Sequence, residues 1–108
     1  MAAEKNFETK IKAFLASEGA WFVKFFANRM TKSGIPDILA CVNGYFVGIE
    51  VKAENGIVKP LQKRKCEEIR KAGGFAFVVY PSGYEQLKTF IRNLKVEIFN
   101  RDLPMVLK

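Results

Sequence analysis

Two carboxylates and a lysine lie on either side of a predicted hairpin turn. Asp37 comes six residues before Asn43-Gly44, and Glu50 and Lys52 follow it. An Asn-Gly pair between two apolar runs predicts a two-residue type I′ turn, in which both central residues have positive φ. Counting outward from this turn pairs Asp37 with Glu50, with their Cβ atoms about 5 Å apart. Carboxylates this close repel each other unless a cation holds them, so the pattern predicts a divalent-metal site with Lys52 beside it.

The alternation of side chains along a strand decides which groups share a face. It places Glu50 and Lys52 on one face, about 6.6 Å apart along the strand. Mg²⁺ takes carboxylate oxygens and keeps several waters, and it can polarise a phosphate and help ionise the attacking water. Lys52 would orient that water or stabilise the charge that develops on the phosphate. The pattern therefore favours metal-assisted phosphodiester hydrolysis. The plain alternatives are that Asp37 only starts a strand and that Glu50 and Lys52 form an exposed ion pair.

The register of the hairpin is the critical assumption. A one-residue slip at Asn43-Gly44 would move Asp37 off the face that Glu50 and Lys52 share.

Two helical residues are candidates for completing the site. Glu8 lies at the border of the apolar stripe of the first predicted helix, so its side chain is expected to follow the sheet surface. Glu4, one turn earlier, is the alternative third carboxylate. Gln62 lies on the core-facing side of a later helix, where an amide needs hydrogen-bond partners that the site would supply. A solvated Glu8 and a satisfied core amide at Gln62 are the alternatives without function.

Charge and composition narrow the chemistry. The net charge is +7 and histidine is absent, which excludes Ser-His-Asp and Cys-His catalysis and histidine zinc sites. A basic chain suits a polyanion such as nucleic acid, with a solvated basic surface as the alternative. The candidate nucleic-acid-binding residues precede the site and are Lys24, Arg29, Lys32, Ser33 and Gly34.

Length and apolar patterning predict a single domain over 1–108 that does not enter a membrane, since no apolar run approaches the ~20 residues of a membrane span. The first residues lack the apolar stretch of a signal peptide, and two cysteines are too few for a disulfide scaffold, which together predict a reducing, cytoplasmic setting. Cys41 and Cys66 lie in apolar segments and are predicted to be buried free thiols.

Periodicity and turn residues predict the element order α-β-β-β-α-β-α. Both faces of the hairpin are largely apolar, which predicts an α/β fold with a mixed sheet flanked by helices on both sides. The tail from residue 94 alternates weakly and is a candidate edge strand or partner contact. The predicted helices span 3–18, 60–72 and 84–93, and the strands span 21–26, 37–42, 45–52 and 75–80.

Three motifs, taken in their order along the chain, resemble those of the PD-(D/E)XK nuclease superfamily. They are Gly34-Ile35-Pro36-Asp37, Gly48-Ile49-Glu50-Val51-Lys52 and Leu61-Gln62. The branch they resemble is the VRR-NUC domain of virus-type replication–repair nucleases, and the helix from Glu8 to Gly19 is also similar to that family's opening helix. The resemblance runs from about Glu8 to Tyr80.

The resemblance implies a restriction-endonuclease-like fold and DNA cleavage that depends on Mg²⁺ or Mn²⁺. Stand-alone members are similar to Holliday-junction resolvases, which implies a structure-selective homodimer that acts in DNA replication, recombination or repair and is often phage-encoded. A non-catalytic basic DNA-binding module and a nuclease acting on RNA stay open as alternatives. The implied catalytic set is Asp37, Glu50, Lys52 and Gln62, and the implied metal ligands are Glu8, Asp37, Glu50 and the Val51 carbonyl.

Overall fold

A computed structural model of the chain describes residues 2–26, 34–95, 104–106 and 108. The helices and strands follow the predicted order, and a short 3₁₀ turn at Pro81–Gly83 precedes the last helix. No helix within the described ranges is long and apolar enough to cross a membrane. Most of the tail lies outside the described residues. The elements are α1 Ala2–Ser17, β1 Trp21–Lys24, β2 Ile38–Val42, β3 Tyr45–Val51, α2 Pro60–Lys71, β4 Phe75–Val79 and α3 Tyr84–Arg92.

The four strands form one mixed sheet in the order β1-β2-β3-β4. The pairs β1–β2 and β2–β3 are antiparallel, whereas β3 and β4 are parallel. A parallel pair needs a crossover connection, and α2 supplies it. β3 therefore has a strand on each side, which places its residues at the centre of the sheet.

The hairpin between β2 and β3 has the predicted register. Val42 faces Tyr45, and Ile38 faces Ile49 four pairs further out. Asn43 has a φ of 51° and Gly44 a φ of 93°, as a type I′ turn requires. Continuing the register by one pair brings Asp37 opposite Glu50.

The core lies between the sheet and the helices α1 and α3. Ring packing fixes both helices, because Tyr84 of α3 meets the edges of Phe7 and Phe14 of α1, at 5.7 and 6.3 Å between ring centroids. Phe90 of α3 also meets the rings of two β4 residues. The fully buried side chains on this side include Ile11, Leu15, Ile38, Val47, Ile49, Val51 and Ile91.

The face of the sheet opposite α1 and α3 is covered over only part of its width, which corrects one expectation. α2 approaches β3 and β4 closely, because a Cβ added to Gly48 would lie 3.2 Å from the Ile69 side chain. Trp21 and Phe46, on the same face, are 68% and 44% exposed. The prediction that Cys41 is buried is wrong, since its thiol lies in this uncovered part, whereas Cys66 of α2 is buried. Burial raises the pKa of the Cys66 thiol.

Candidate active site

Asp37 is held at the open end of the hairpin. Its Oδ2 accepts a hydrogen bond of 2.8 Å from the backbone N–H of Val51. Its own carbonyl accepts another, of 2.8 Å, from the N–H of Phe25 after β1. The carboxylate is thereby fixed where β2 begins and β3 ends, beside the backbone of the residue that follows Glu50.

Glu50 is a buried carboxyl group, with only 5% of the residue exposed. Its Oε2 accepts a hydrogen bond of 2.9 Å from Gln62 Nε2 and lies 3.6 Å from Lys52 Nζ. Burial, and then the negative charge of Asp37, raise the pKa of Glu50 to about 7, although Lys52 acts to lower it. The carboxyl group therefore holds a proton up to near-neutral pH, and a cation beside it would favour the ionised form.

Lys52 is buried beneath the turn that follows β3. Its backbone N–H donates to the carbonyl of Val79 at 3.0 Å, which continues the β3–β4 ladder. A Cβ added to Gly56 would lie 3.1 Å from Lys52 Cδ, so the turn lies directly over the lysine stem. The hydroxyl of Tyr80 donates to the Gly56 carbonyl at 2.8 Å and holds the turn in place. The ammonium group is thus confined beside Glu50.

Gln62 joins the start of α2 to the site. Its Oε1 accepts a hydrogen bond of 3.0 Å from the N–H of Lys59, the residue just before the helix. Its Nε2 donates to Glu50. The N–H donor at one end and the carboxylate at the other fix the orientation of the amide. The hydrogen-bond partner that the sequence required for Gln62 is therefore Glu50 itself.

Glu8 reaches the site through Lys24. The Nζ of Lys24 lies 2.7 Å from Glu8 Oε1 and 3.4 Å from Asp37 Oδ1. Burial acts to lower the pKa of Lys24, but the hydrogen bond to Glu8 and the charges of Asp37 and Glu8 outweigh it and raise the pKa. Within the described residues, Glu4 forms no ion pair, so Glu8 is the helical carboxylate near the site.

The position of Lys24 between two carboxylates was missed by the sequence prediction, which placed it among the nucleic-acid-binding residues. The only signal in the sequence is the alternation along β1, which puts Lys24 on the same face as Phe22; that α1 and Glu8 cover this face follows from the packing. Lys24 pairs with Ile38. The side chain of Ile38 is buried in the core beneath α1, so Lys24 lies on that face too.

The residues at this site fit a divalent cation with two protein carboxylates. In the described part of the chain, no group of three or more Asp, Glu, Cys or His side chains could hold a metal ion. Asp37 and Glu50, however, offer the oxygen ligands that Mg²⁺ and Mn²⁺ prefer, and one or two carboxylates plus waters suffice for Mg²⁺. Burial and then repulsion from Asp37 raise the pKa of Glu50, and a cation between the two carboxylates would relieve that repulsion.

The basic segment before the site is only partly described. Gly34 has a φ of 95°, and a Cβ there would lie 2.7 Å from the carbonyl oxygen of Leu61. The chain therefore enters the site pressed against the first turn of α2, one residue from Gln62. Arg29, Lys32 and Ser33 lie outside the described residues, so nucleic-acid binding by this segment stays a prediction.

Comparison with solved structures supports the resemblance seen in the motifs. A structure described as a VRR_NUC domain superposes with a TM-score of 0.66 and 26% sequence identity, covering 84% of this chain and 96% of that one. No protein-family model matches the sequence, and no curated protein matches it. The likeness confirms the predicted restriction-endonuclease-like α/β fold, a mixed four-strand sheet flanked by helices, and it supports a nuclease-domain family.

Proposed function

We propose that this chain, which shares its fold with a VRR_NUC domain, is a DNA endonuclease that depends on Mg²⁺ or Mn²⁺. The observation that carries the proposal is the convergence of four predicted residues at the end of one hairpin. Glu50 accepts a hydrogen bond from Gln62 and lies beside Lys52, and its pKa is raised by burial and then by the charge of Asp37. Perturbed carboxyl groups in close contact with a buried lysine are typical of catalytic sites.

Asp37, Glu50 and the Val51 carbonyl would hold the cation, and Glu8 is the candidate third carboxylate. A bound Mg²⁺ or Mn²⁺ supplies charge that polarises the phosphate and lowers the pKa of a bound water. Glu50 would bind the cation in its ionised form, and Asp37 is oriented by the N–H of Val51.

Lys52 has two possible tasks in this site. Its ammonium group donates hydrogen bonds, so it can orient the attacking water or stabilise the charge that develops on the phosphate. Because Glu50 is its neighbour at 3.6 Å, Lys52 also keeps the site closer to neutral when the carboxyl group ionises. Gln62 holds Glu50 in place during these changes.

DNA is the proposed substrate, and branched DNA the preferred form. The net charge of +7 supports binding to the phosphate backbone, and the VRR_NUC likeness supports a nuclease domain. One site of this size cuts one strand, so symmetric cutting of a junction needs two sites related by a two-fold axis. A homodimer is proposed for that reason. Sedimentation at micromolar concentration that shows only monomers would rule out the dimer and leave the nuclease proposal standing.

Cleavage of a defined set of substrates tests the proposal. Four-way junctions, flaps, linear duplexes and the matching RNA would be incubated with Mg²⁺, Mn²⁺ or EDTA. We expect metal-dependent nicking of DNA that is lost in Asp37→Asn and Lys52→Met. Lys63→Met removes an exposed lysine of α2 and is the matched control, which should keep its activity.

Two results would overturn the proposal. The first is cleavage that persists in EDTA or survives both site substitutions. The second is salt-sensitive DNA binding that Asp37→Asn leaves unchanged, with no nicking under any metal. That second result would instead assign the chain as a non-catalytic DNA-binding module of a repair complex.

A further inference from the structure

The ammonium group of Lys24 bridges two carboxylates from different parts of the chain. Glu8 comes from α1 and Asp37 from the start of β2, and they lie 16 and 13 residues away from Lys24 in the sequence. The side chain of Lys24 is 24% exposed and that of Glu8 only 14%. A bridge this sheltered is screened by salt less than a surface ion pair is.

We propose that Lys24 is the resident cation of the metal-free site, and that its ammonium group has to leave the space between Glu8 and Asp37 when a divalent cation binds Asp37 and Glu50. This inference rests on the proposed metal-dependent function. It assigns Lys24 a role in setting metal affinity rather than in contacting DNA alone.

The charge balance of the site supports this role. With Lys24 removed, Glu8 would keep only its ion pair with Lys12. Asp37 would lose its ion pair with Lys24, and Lys52 neighbours Glu50 instead. A divalent cation that binds Asp37 is repelled by an ammonium group 3.4 Å from the same carboxylate. Lysine and metal therefore compete for Asp37, and Glu8 becomes available as a third ligand only after the ammonium group has moved.

In the described residues, no three carboxylates form a group that could hold a metal ion, and the Lys24 ammonium group lies between Glu8 and Asp37. Glu8 lies at hydrogen-bond distance from Lys24, not from Asp37. A lysine side chain has four flexible methylene groups, so its ammonium can leave while the backbone of β1 stays paired with β2.

Mn²⁺ binding measured by calorimetry tests the proposal without relying on activity. Lys24→Met removes the charge, and Lys24→Gln is the second variant in case the first folds poorly. Lys12→Met is the matched control, because Lys12 also pairs with Glu8, at 3.4 Å, but makes no ion pair with Asp37. We expect either Lys24 variant to bind Mn²⁺ about tenfold more tightly than wild type. Lys12→Met should change the Kd by less than about threefold, because Lys12 is more exposed than Lys24, at 34% against 24% of the side chain, and makes no ion pair with Asp37.

Thermal unfolding gives an independent readout. In EDTA, Lys24→Met should have a lower Tm than Lys12→Met, because it removes the ion pairs of two carboxylates whereas Lys12→Met removes that of one. Saturating Mn²⁺ should raise its Tm by more than it raises that of wild type, since the shift grows with metal affinity.

The outcomes separate this inference from the proposed function. Equal or weaker Mn²⁺ binding by both Lys24 variants, with wild type still cutting DNA in Mn²⁺, overturns the role of Lys24 alone. No Mn²⁺ binding and no cleavage by any of the proteins overturns both proposals.

Discussion

Replacing Glu50 with glutamine should change how the stability of the metal-free protein depends on pH. The folded structure raises the pKa of Glu50 from an ordinary value of 4.5 to about 7. Below pH 4.5, the carboxyl group is protonated in both the folded and the unfolded chain. Between these values the unfolded chain loses the proton and the folded chain keeps it, so the free energy of unfolding falls as the pH rises. Above about pH 7, the carboxyl group is ionised in both the folded and the unfolded chain, and the free energy of unfolding falls no further for this reason.

The size of this loss follows from the same two values. Each pH unit of difference corresponds to about 1.4 kcal/mol, so wild type should lose about 3 kcal/mol relative to Glu50→Gln across the window. Glutamine is isosteric, cannot titrate, and can still accept the hydrogen bond from Gln62. The comparison therefore removes the charge and keeps the shape.

Urea denaturation in EDTA from pH 4.5 to 8 measures the difference. Glu85→Gln is the control, since it removes a glutamate whose side chain is 83% exposed, and its stability should run parallel to that of wild type. Parallel curves for wild type and Glu50→Gln would refute the reasoning, as would a difference that grows in favour of wild type with rising pH. Added Mn²⁺ should reduce the decline, because the cation binds the ionised carboxylate.

Three further substitutions have defined outcomes. Lys52→Met should lower cleavage about 10²- to 10³-fold without weakening Mn²⁺ binding, because it removes a positive charge beside Glu50; a large loss of affinity by calorimetry would contradict a catalytic role. Gln62→Ala should cost about 1–3 kcal/mol in urea denaturation, because a buried carboxyl group loses its donor, whereas the exposed Gln86→Ala should change stability little. Gly34→Ala should be more destabilising than Gly73→Ala: both positions have positive φ, but only at Gly34 would the new Cβ collide with α2. Equal losses at the two glycines would argue against that contact.

The sequence predicts much of the fold because its local signals are strong. The Asn43-Gly44 turn determines the register of the hairpin. Asp37 and Glu50 are the same number of residues away from this turn, so the register brings them opposite each other. Glycine and proline mark where the helices end and begin. These are short-range effects, so they can be evaluated before any tertiary contact is known.

The sequence does not predict features that depend on distant packing. Lys24 was assigned to nucleic acid because its proximity to both Glu8 and Asp37 arises only when α1 packs on the sheet. Cys41 lies in an apolar strand, yet it is exposed because α2 covers only the β3 and β4 side of that face. Apolar periodicity shows that a face is suited to burial, but it does not show how far a helix extends across it.

The two arms of the β2–β3 hairpin have equal length between the turn and the site, which limits how related chains can vary. A related chain could gain two residues in each arm and keep both carboxylates paired on the same face. One extra residue in each arm would preserve the pairing but turn both side chains towards α1, because side chains alternate along a strand. An insertion in a single arm would separate the pair. Length changes between Asp37 and Glu50 should therefore come in multiples of four, which predicts how this segment can evolve while the site is retained.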